Sequence, residues 1–217
     1  MTRKRSAAAR DKLLAAAIDV FVEKGFRDST VAEICKHAEA NIAAVNYHFG
    51  GKEALYREAW LSAFAESMED HPAGGRAAPD APAEARLRSR LAALVQRAAD
   101  PRSKVFFLSQ MEFVNPTGLL DEVMRAELLP LREEMAALVK ELLGPGAEER
   151  QVVFCETCII SMCMHPMLMR RNSARTGKCP HHAFLDDTEA FAEHVIRFAL
   201  AGIAATRDRS SSIGDAS

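Results

Sequence analysis

Residues 29–52 constrain the fold of this chain more than any other stretch, because they predict two short helices joined by a tight turn. Thr30 is followed three residues later by Glu33. This is the spacing of a capping box, in which a hydroxyl and a carboxylate each satisfy a free backbone amide at a helix start. The apolar residues that follow have helical spacing, which gives the first helix a single apolar face. That face comprises Val31, Ile34 and Ala38.

The second helix of the pair is predicted to begin after Asn41, whose side chain is a favourable N-cap. Three apolar residues are spaced to pack inward, namely Ile42, Val45 and Phe49. The residues left facing outward are Ala43, Ala44, Asn46, Tyr47 and His48.

The outward face has the composition that a helix needs in a DNA major groove: small residues next to the base edges, and flanking donors that grip phosphates. Ala43 and Ala44 give the clearance, and Asn46 can hydrogen-bond a base edge. The predicted phosphate contacts are Thr30, Tyr47, His48 and Lys52. The complete predicted DNA-binding set is Thr30, Asn41, Ala43, Ala44, Asn46, Tyr47, His48 and Lys52. An ordinary helical hairpin is the alternative interpretation of the spacing.

Residues 41–56, NIAAVNYHFGGKEALY, resemble the recognition helix of TetR-family transcriptional repressors. In that family a Tyr-His-Phe run is followed by a short turn of small residues and then by Lys-Glu-x-Leu. The family usually has glycine in the turn between the two helices, where this chain has Glu39. A left-handed residue other than glycine costs on the order of 1 kcal/mol. The resemblance implies a DNA-binding regulator that reads a palindromic operator in double-stranded DNA.

Charge is distributed unevenly along the chain. The whole sequence has a net charge of −2, yet residues 1–52 carry nine Lys or Arg against six Asp or Glu, which leaves the remainder at −5. A basic head on an acidic body suits a DNA-binding module joined to a part that does not touch DNA. The charge distribution therefore favours a helix-turn-helix DNA-binding domain over residues 1–52, and the family resemblance implies a helical ligand-binding and dimerisation domain over residues 53–217.

The rest of the chain also predicts helices, and no alternating β pattern of useful length interrupts them, so the predicted fold class is all-α. Met1 to Ala9 is expected to be a basic arm that is mobile without DNA and reaches along phosphates or into the minor groove, with a merely untidy terminus as the alternative. Gly25 is expected to end the first helix. Residues 71–82, rich in Pro, Gly and Ala, are predicted to form a loop. Helices are predicted over residues 10–24, 52–70, from 83 and from 101 onward, then 128–143, 148–171 and 187–207, with Pro130 in the first turn of its helix.

The C-terminal half resembles the CecR-like branch of the same family. The resemblance lies in residues 111–144, MEFVNPTGLLDEVMRAELLPLREEMAALVKELLG, and in the later run HPMLMR at residues 165–170. It implies a homodimer formed through the last two helices and a pocket for a small-molecule effector inside each subunit. The predicted pocket residues are Phe107, Met111, Glu112, Cys155, Cys158 and Met162. Glu112 either faces the ligand or pairs with Arg170 or Arg171.

Sulfur-containing residues crowd the penultimate helix, and soft sulfur ligands favour Cu(I) or Zn(II). A metal- or thiol-responsive regulator would use Cys155, Cys158, Cys163 and His165, with Cys179, His181 and His182 as possible loop ligands. Against a metal, one helix cannot surround an ion and the paired C-x₂-C spacing of zinc sites is missing. Cys and Met are also ordinary fillers of cores and adaptable pockets. We therefore predict neither a metal site nor a cofactor, and interpret the five cysteines as free thiols.

Several function classes find no support in the sequence. Charged residues interrupt the N-terminal Ala/Leu run, which argues against a signal peptide. The uncharged run over residues 157–169 is too short to span a bilayer. No catalytic motif is discernible, so we predict a cytoplasmic protein that is not an enzyme. The predicted function is a ligand-responsive regulator, a repressor released by a small molecule; a small-molecule binding protein with a vestigial DNA head is the alternative.

Overall fold

The computed structural model describes the backbone of residues 2–176 and 184–214, and the side chains of residues 6–171 and 184–208. Within the described residues there are nine α-helices and no strand. The all-α prediction is therefore confirmed. The helices are α1 Thr2–Asp28, α2 Val31–His37, α3 Ile42–Phe49, α4 Lys52–Asp70, α5 Ala83–Ala99, α6 Val105–Val114, α7 Asp121–Leu143, α8 Glu149–Thr176 and α9 Thr188–Gly214.

The chain divides into two compact units. Unit 1 comprises residues 1–67 and 102–126, and unit 2 comprises residues 68–101 and 127–217. The boundary predicted between residues 52 and 53 falls inside unit 1, which contains most of α4 and the whole of α6. Unit 1 has a core of fully buried apolar side chains that includes Leu13, Phe21, Ile34, Val45, Leu55 and Trp60. Unit 2 has its own core of fully buried apolar side chains, which includes Leu87, Leu91, Val95, Val139 and Met167.

Helix α1 begins at Thr2, so the prediction of a basic arm over residues 1–9 is wrong for residues 2–9. Arg, Lys and Ala are all good helix formers, and no Gly or Pro interrupts them. At the other end, Gly25 breaks the helix as predicted, because its φ of 76° lies in the left-handed region that favours glycine.

Two predicted helix starts are displaced in the structure. Helix α6 begins at Val105 rather than Pro101. Helix α7 begins at Asp121 rather than Leu128, which places Pro130 in the helix interior instead of the first turn. Acidic residues at Asp121 and Glu122 favour the earlier start, because they complement the positive end of the helix dipole. Pro130 is exposed, and the helix continues through it.

Helix α8 extends on both sides of the uncharged run at residues 157–169, and the apolar stretch is longer than that run. Over Glu149–Arg171 its mean hydropathy reaches 1.6, so by length and composition alone it is able to cross a membrane. Buried core helices pass the same test, which makes a single such helix weak support for a membrane protein. Only 28% of the apolar window of α8 is buried within the chain.

Candidate nucleic-acid interface

The predicted capping box at the start of α2 is present. The Thr30 side chain accepts a hydrogen bond from the Glu33 amide at 3.2 Å, and the Glu33 carboxylate accepts from the Thr30 amide at 3.1 Å. The same carboxylate pairs with the Lys24 ammonium at 2.6 Å, which ties α2 to α1. Hydrogen bonds from Lys24 and then Thr30 hold the pKa of Glu33 below its ordinary value. The start of α2 is thus attached to α1 by a contact that the sequence alone did not predict.

The turn between α2 and α3 has the geometry of a Schellman motif. The Ala40 amide donates to the Cys35 carbonyl at 2.9 Å, and the Glu39 amide donates to the Lys36 carbonyl at 3.3 Å. Glu39 has a φ of 52° and is the one residue other than glycine with positive φ among the described residues. The chain therefore forms the left-handed turn for which the family usually has glycine, with a glutamate in its place.

Helix α3 is capped as predicted, because the Asn41 side chain accepts a hydrogen bond from the Ala43 amide at 2.9 Å. Val45 is fully buried and Phe49 is partly buried, but Ile42 is 54% exposed. The prediction that Ile42 packs inward is thus wrong. An eight-residue helix buries only a narrow stripe, and its first residue lies beyond the edge of that stripe.

The outward residues of α3 form one continuous exposed surface. Ala43 and Asn46 are exposed, and Tyr47 is 80% exposed. Ala44 and His48 are half-buried, and the His48 ring packs edge-on against Tyr47 at a centroid distance of 4.9 Å. Small, amide and phenolic side chains therefore lie together on this surface, where they can reach base edges and phosphates.

Lys52 has a role in holding unit 1 together that sequence reasoning missed. Its ammonium donates to the carbonyls of Phe26 and Ser29, each at 2.5 Å, and lies 4.4 Å from the centre of the Phe26 ring. Burial lowers its pKa. An ammonium has three donors, so one remains for a phosphate. The predicted phosphate contact thus competes with a structural role for Lys52.

Arg10 similarly supports α3 from α1. Its guanidinium lies 5.0 Å from the centre of the Phe49 ring and pairs with Glu58 at 2.7 Å. Both contacts join residues far apart in the sequence, and no local pattern signals them.

The Glu112 carboxylate is buried and is hydrogen-bonded within unit 1, whereas Arg170 and Arg171 belong to unit 2, so the predicted ion pair stays a prediction. It accepts hydrogen bonds from the amides of Thr117 at 2.7 Å and Gly118 at 2.9 Å. It also accepts from the Tyr56 hydroxyl at 3.3 Å. Burial, followed by the nearby carboxylate, raises the pKa of Tyr56. These donors satisfy the carboxylate within unit 1.

The predicted pocket residues are divided between the two units: Phe107, Met111 and Glu112 are in unit 1, and Cys155, Cys158 and Met162 are in unit 2. That they line one pocket stays a prediction.

The predicted alternative ligand set for a metal is dispersed. Cys158 and His165 are exposed, whereas Cys163 is buried and burial raises its pKa to about 12. Metal ligation requires the thiolate, which this environment disfavours. In the part of the chain that the structure describes, no three His, Cys, Asp or Glu side chains gather as a metal site would need. Cys179, His181 and His182 lie outside the described residues.

A capped helix, a tight turn and a second short helix with an exposed polar face define a helix-turn-helix protein. Comparison with known families specifies the class further. Residues 13–59 match the bacterial regulatory proteins of the tetR family, and residues 83–203 match the C-terminal domain of the HTH-type transcriptional dual regulator CecR. The chain belongs to the TetR family of transcriptional regulators, in the CecR-like branch.

Individual relatives agree with this assignment. The HTH-type transcriptional dual regulator CecR of Shigella flexneri is 30% identical over 161 residues, which cover 67% of this chain and 69% of that protein. The probable HTH-type transcriptional regulator YttP of Bacillus subtilis (strain 168) is 41% identical over 46 residues, and the match spans only 22% of its length. A TetR-like regulator from Rhodococcus sp. RHA1 has the same fold, with a TM-score of 0.66 at 17% identity, covering 90% of this chain and 96% of that one.

Proposed function

We propose that this chain is a ligand-responsive transcriptional repressor that binds a palindromic operator as a homodimer and is released by a small molecule. The observation that supports DNA binding best is the exposed face of α3, which combines Ala43, Asn46 and an 80% exposed Tyr47 on a helix held by caps at both ends. In this proposal Asn46 reads a base edge, while Tyr47 and His48 contact phosphates.

Unpaired apolar surface on α8 and α9 supports the homodimer. Phe154 on α8 and Phe198 on α9 are each 63% exposed in the single chain. The exposed positions of α8 between its charged ends contain no Asp, Glu, Lys or Arg and recur at helical spacing: Val153, Phe154, Thr157, Cys158, Ser161 and His165. A second copy related by a two-fold axis would bury both faces in a four-helix bundle.

The two-fold symmetry of the homodimer predicts a palindromic operator. Two copies of α3 in successive major grooves would lie about 34–36 Å apart and would read inverted half-sites. A small molecule would release the operator only if it binds more tightly to a dimer whose α3 spacing no longer fits the grooves. Such a regulator acts in the cytoplasm. The metal-responsive alternative draws no support from the dispersed cysteines.

Selection of bound genomic fragments by the purified full chain at physiological salt tests DNA recognition. Physiological salt is needed because unspecific phosphate binding dominates at low salt. We expect a shared palindrome among the recovered fragments. If no shared site appears, the selection is repeated with cell extract to supply any missing corepressor. Failure under both conditions, with a small molecule still bound, would favour the alternative of a vestigial DNA head.

Two variants then separate base reading from phosphate binding. Asn46→Ala is expected to relax preference at one position of each half-site, with each lost base contact worth about 1–3 kcal/mol. Tyr47→Ala is expected to weaken binding to all sequences by a similar factor. Glu66→Ala, an exposed change on α4, is the matched control. An Asn46→Ala protein with unchanged preference, or a Tyr47→Ala protein that fails only at the operator, would contradict the assigned roles.

A further inference from the structure

Within unit 2, two arginines on α5 each pair with a glutamate on α7. Arg86 pairs with Glu141 at 2.6 Å, and Arg90 pairs with Glu134 at 2.7 Å. Arg97 follows Arg90 by seven residues, close to two full turns, so both residues project from the same side of α5. A third arginine therefore continues the row.

Arg97 differs from the other two because it is buried and has no acidic partner. It is only 6% exposed. Its Nη1 atom donates to the Met68 sulfur at 2.7 Å and to the His71 carbonyl at 3.2 Å. Both hydrogen bonds that its guanidinium makes with these residues start from Nη1, and neither acceptor is a carboxylate. Burial, with a further contribution from the positive charge of Arg90, lowers its pKa to about 10. A buried cation is costly unless an anion accompanies it.

More positive charge lies at the same end of α5. Arg171 is also 6% exposed and donates to the Asp100 carbonyl at 2.6 Å, and Arg170 donates to the Ala99 carbonyl at 3.1 Å. The Asp100 carboxylate contacts the His71 ring at 3.1 Å, and the His71 carbonyl is the one that Arg97 contacts. Three guanidinium groups therefore surround the last turn of α5 and the residues that follow it.

We propose that Arg97 recognises the acidic group of the effector, a carboxylate or a phosphate, through its Nε and Nη2 atoms. The planar fork of a guanidinium matches both groups in bidentate fashion. The effector is thus an organic anion, and it completes a row of ion pairs that the protein leaves open at Arg97. This inference rests on the proposed ligand-responsive function and specifies the chemistry of the ligand.

Heat unfolding of the full chain in small anions tests the inference. Acetate, benzoate and inorganic phosphate are titrated at constant ionic strength against chloride, for the native chain, Arg97→Met and Arg97→Lys. Arg88→Met, on the exposed side of α5 and paired only with exposed glutamates, is the control. We expect at least one probe anion to raise the native midpoint above that in chloride.

Arg97→Met is expected to lower the apparent affinity for that anion by about ten- to a hundredfold, since a charge-assisted pair is lost. Arg97→Lys keeps the positive charge but lacks the planar guanidinium. Its apparent affinity for the anion is expected to lie between that of the native chain and that of Arg97→Met. Without anion, Arg97→Met is expected to unfold at or above the native midpoint, because a buried unpaired charge has been removed. Arg88→Met should keep the native anion response.

Two results would overturn the inference. One is a native midpoint that no probe anion raises above the chloride value. The other is an Arg97→Met protein that unfolds well below the native midpoint and retains the anion response, which would assign Arg97 to capping the end of α4 through His71. Operator binding without anion is measured in parallel. Its absence in the native chain would contradict the proposed regulator function, whereas its presence beside a failed anion test would contradict the anion site alone.

Discussion

Replacing Glu39 by glycine is expected to stabilise unit 1. Glu39 occupies the left-handed position of the turn between α2 and α3, with φ at 52°. Its side chain is exposed and makes no hydrogen bond or ion pair with the described residues. The substitution therefore removes backbone strain without removing a contact.

The expected gain follows from two opposing terms. A left-handed conformation costs an L-residue roughly 1–2 kcal/mol, which glycine does not incur. Glycine loses more conformational entropy on folding, a cost of about 0.5–1 kcal/mol. The net stabilisation should be about 0.5–1 kcal/mol. With a urea m-value of about 2 kcal/mol per molar, the unfolding midpoint should rise by about 0.25–0.5 M.

Tryptophan fluorescence measures this change in the relevant unit. Trp60 is the single tryptophan, is fully buried in unit 1 and donates to the Ser109 hydroxyl at 2.9 Å. Its emission in urea therefore reports unfolding of unit 1. Glu39→Ala is the matched control, because it removes the charge but retains Cβ and hence the strain. Equal gains for Ala and Gly, or a lower midpoint for Gly, would refute the strain argument.

Two further substitutions test contacts that hold the proposed interfaces. Lys52→Met should lower the free energy of unfolding of unit 1, measured by Trp60 fluorescence, by about 1.5–3 kcal/mol, because two carbonyls lose a charged donor. An unchanged unfolding curve with weaker DNA binding would instead assign Lys52 to phosphate contact alone. Phe154→Glu should weaken self-association by at least about tenfold in sedimentation analysis, because it places unpaired charge in the α8 face. The exposed change Glu133→Ala is its control, and a native dimer in the Phe154→Glu protein would remove α8 from the interface.

Features that depend on neighbouring residues could be predicted from the sequence. The capping box of Thr30 and Glu33, the Asn41 cap and the break at Gly25 each involve residues no more than four positions apart. Side-chain chemistry and backbone preference determine such features locally. The helix-turn-helix motif consists almost entirely of them, which explains why its position followed from the sequence.

Contacts between distant residues could not be predicted. Arg10 reaches Glu58 across 48 positions, and Tyr56 reaches Glu112 across 56. Sequence spacing gives no information about such pairs, so Glu112 was expected to face a ligand or an arginine. The start of α7 was ambiguous for a related reason. Proline is tolerated in the first turn of a helix and, at a cost in stability, in the interior, where Pro130 lies.

The domain boundary given by sequence similarity differs from the boundary given by packing in this chain. Residues 102–126 lie within the match to the CecR C-terminal domain, yet they pack in the unit that carries the helix-turn-helix. Arg27 donates to the Pro116 carbonyl and Arg57 to the Leu119 carbonyl, each at 3.0 Å, beside the Glu112 network. These bonds tie the connection between α6 and α7 directly to α1 and α4. A change in the conformation of residues 115–120 would therefore alter contacts of the unit that carries the helix-turn-helix itself.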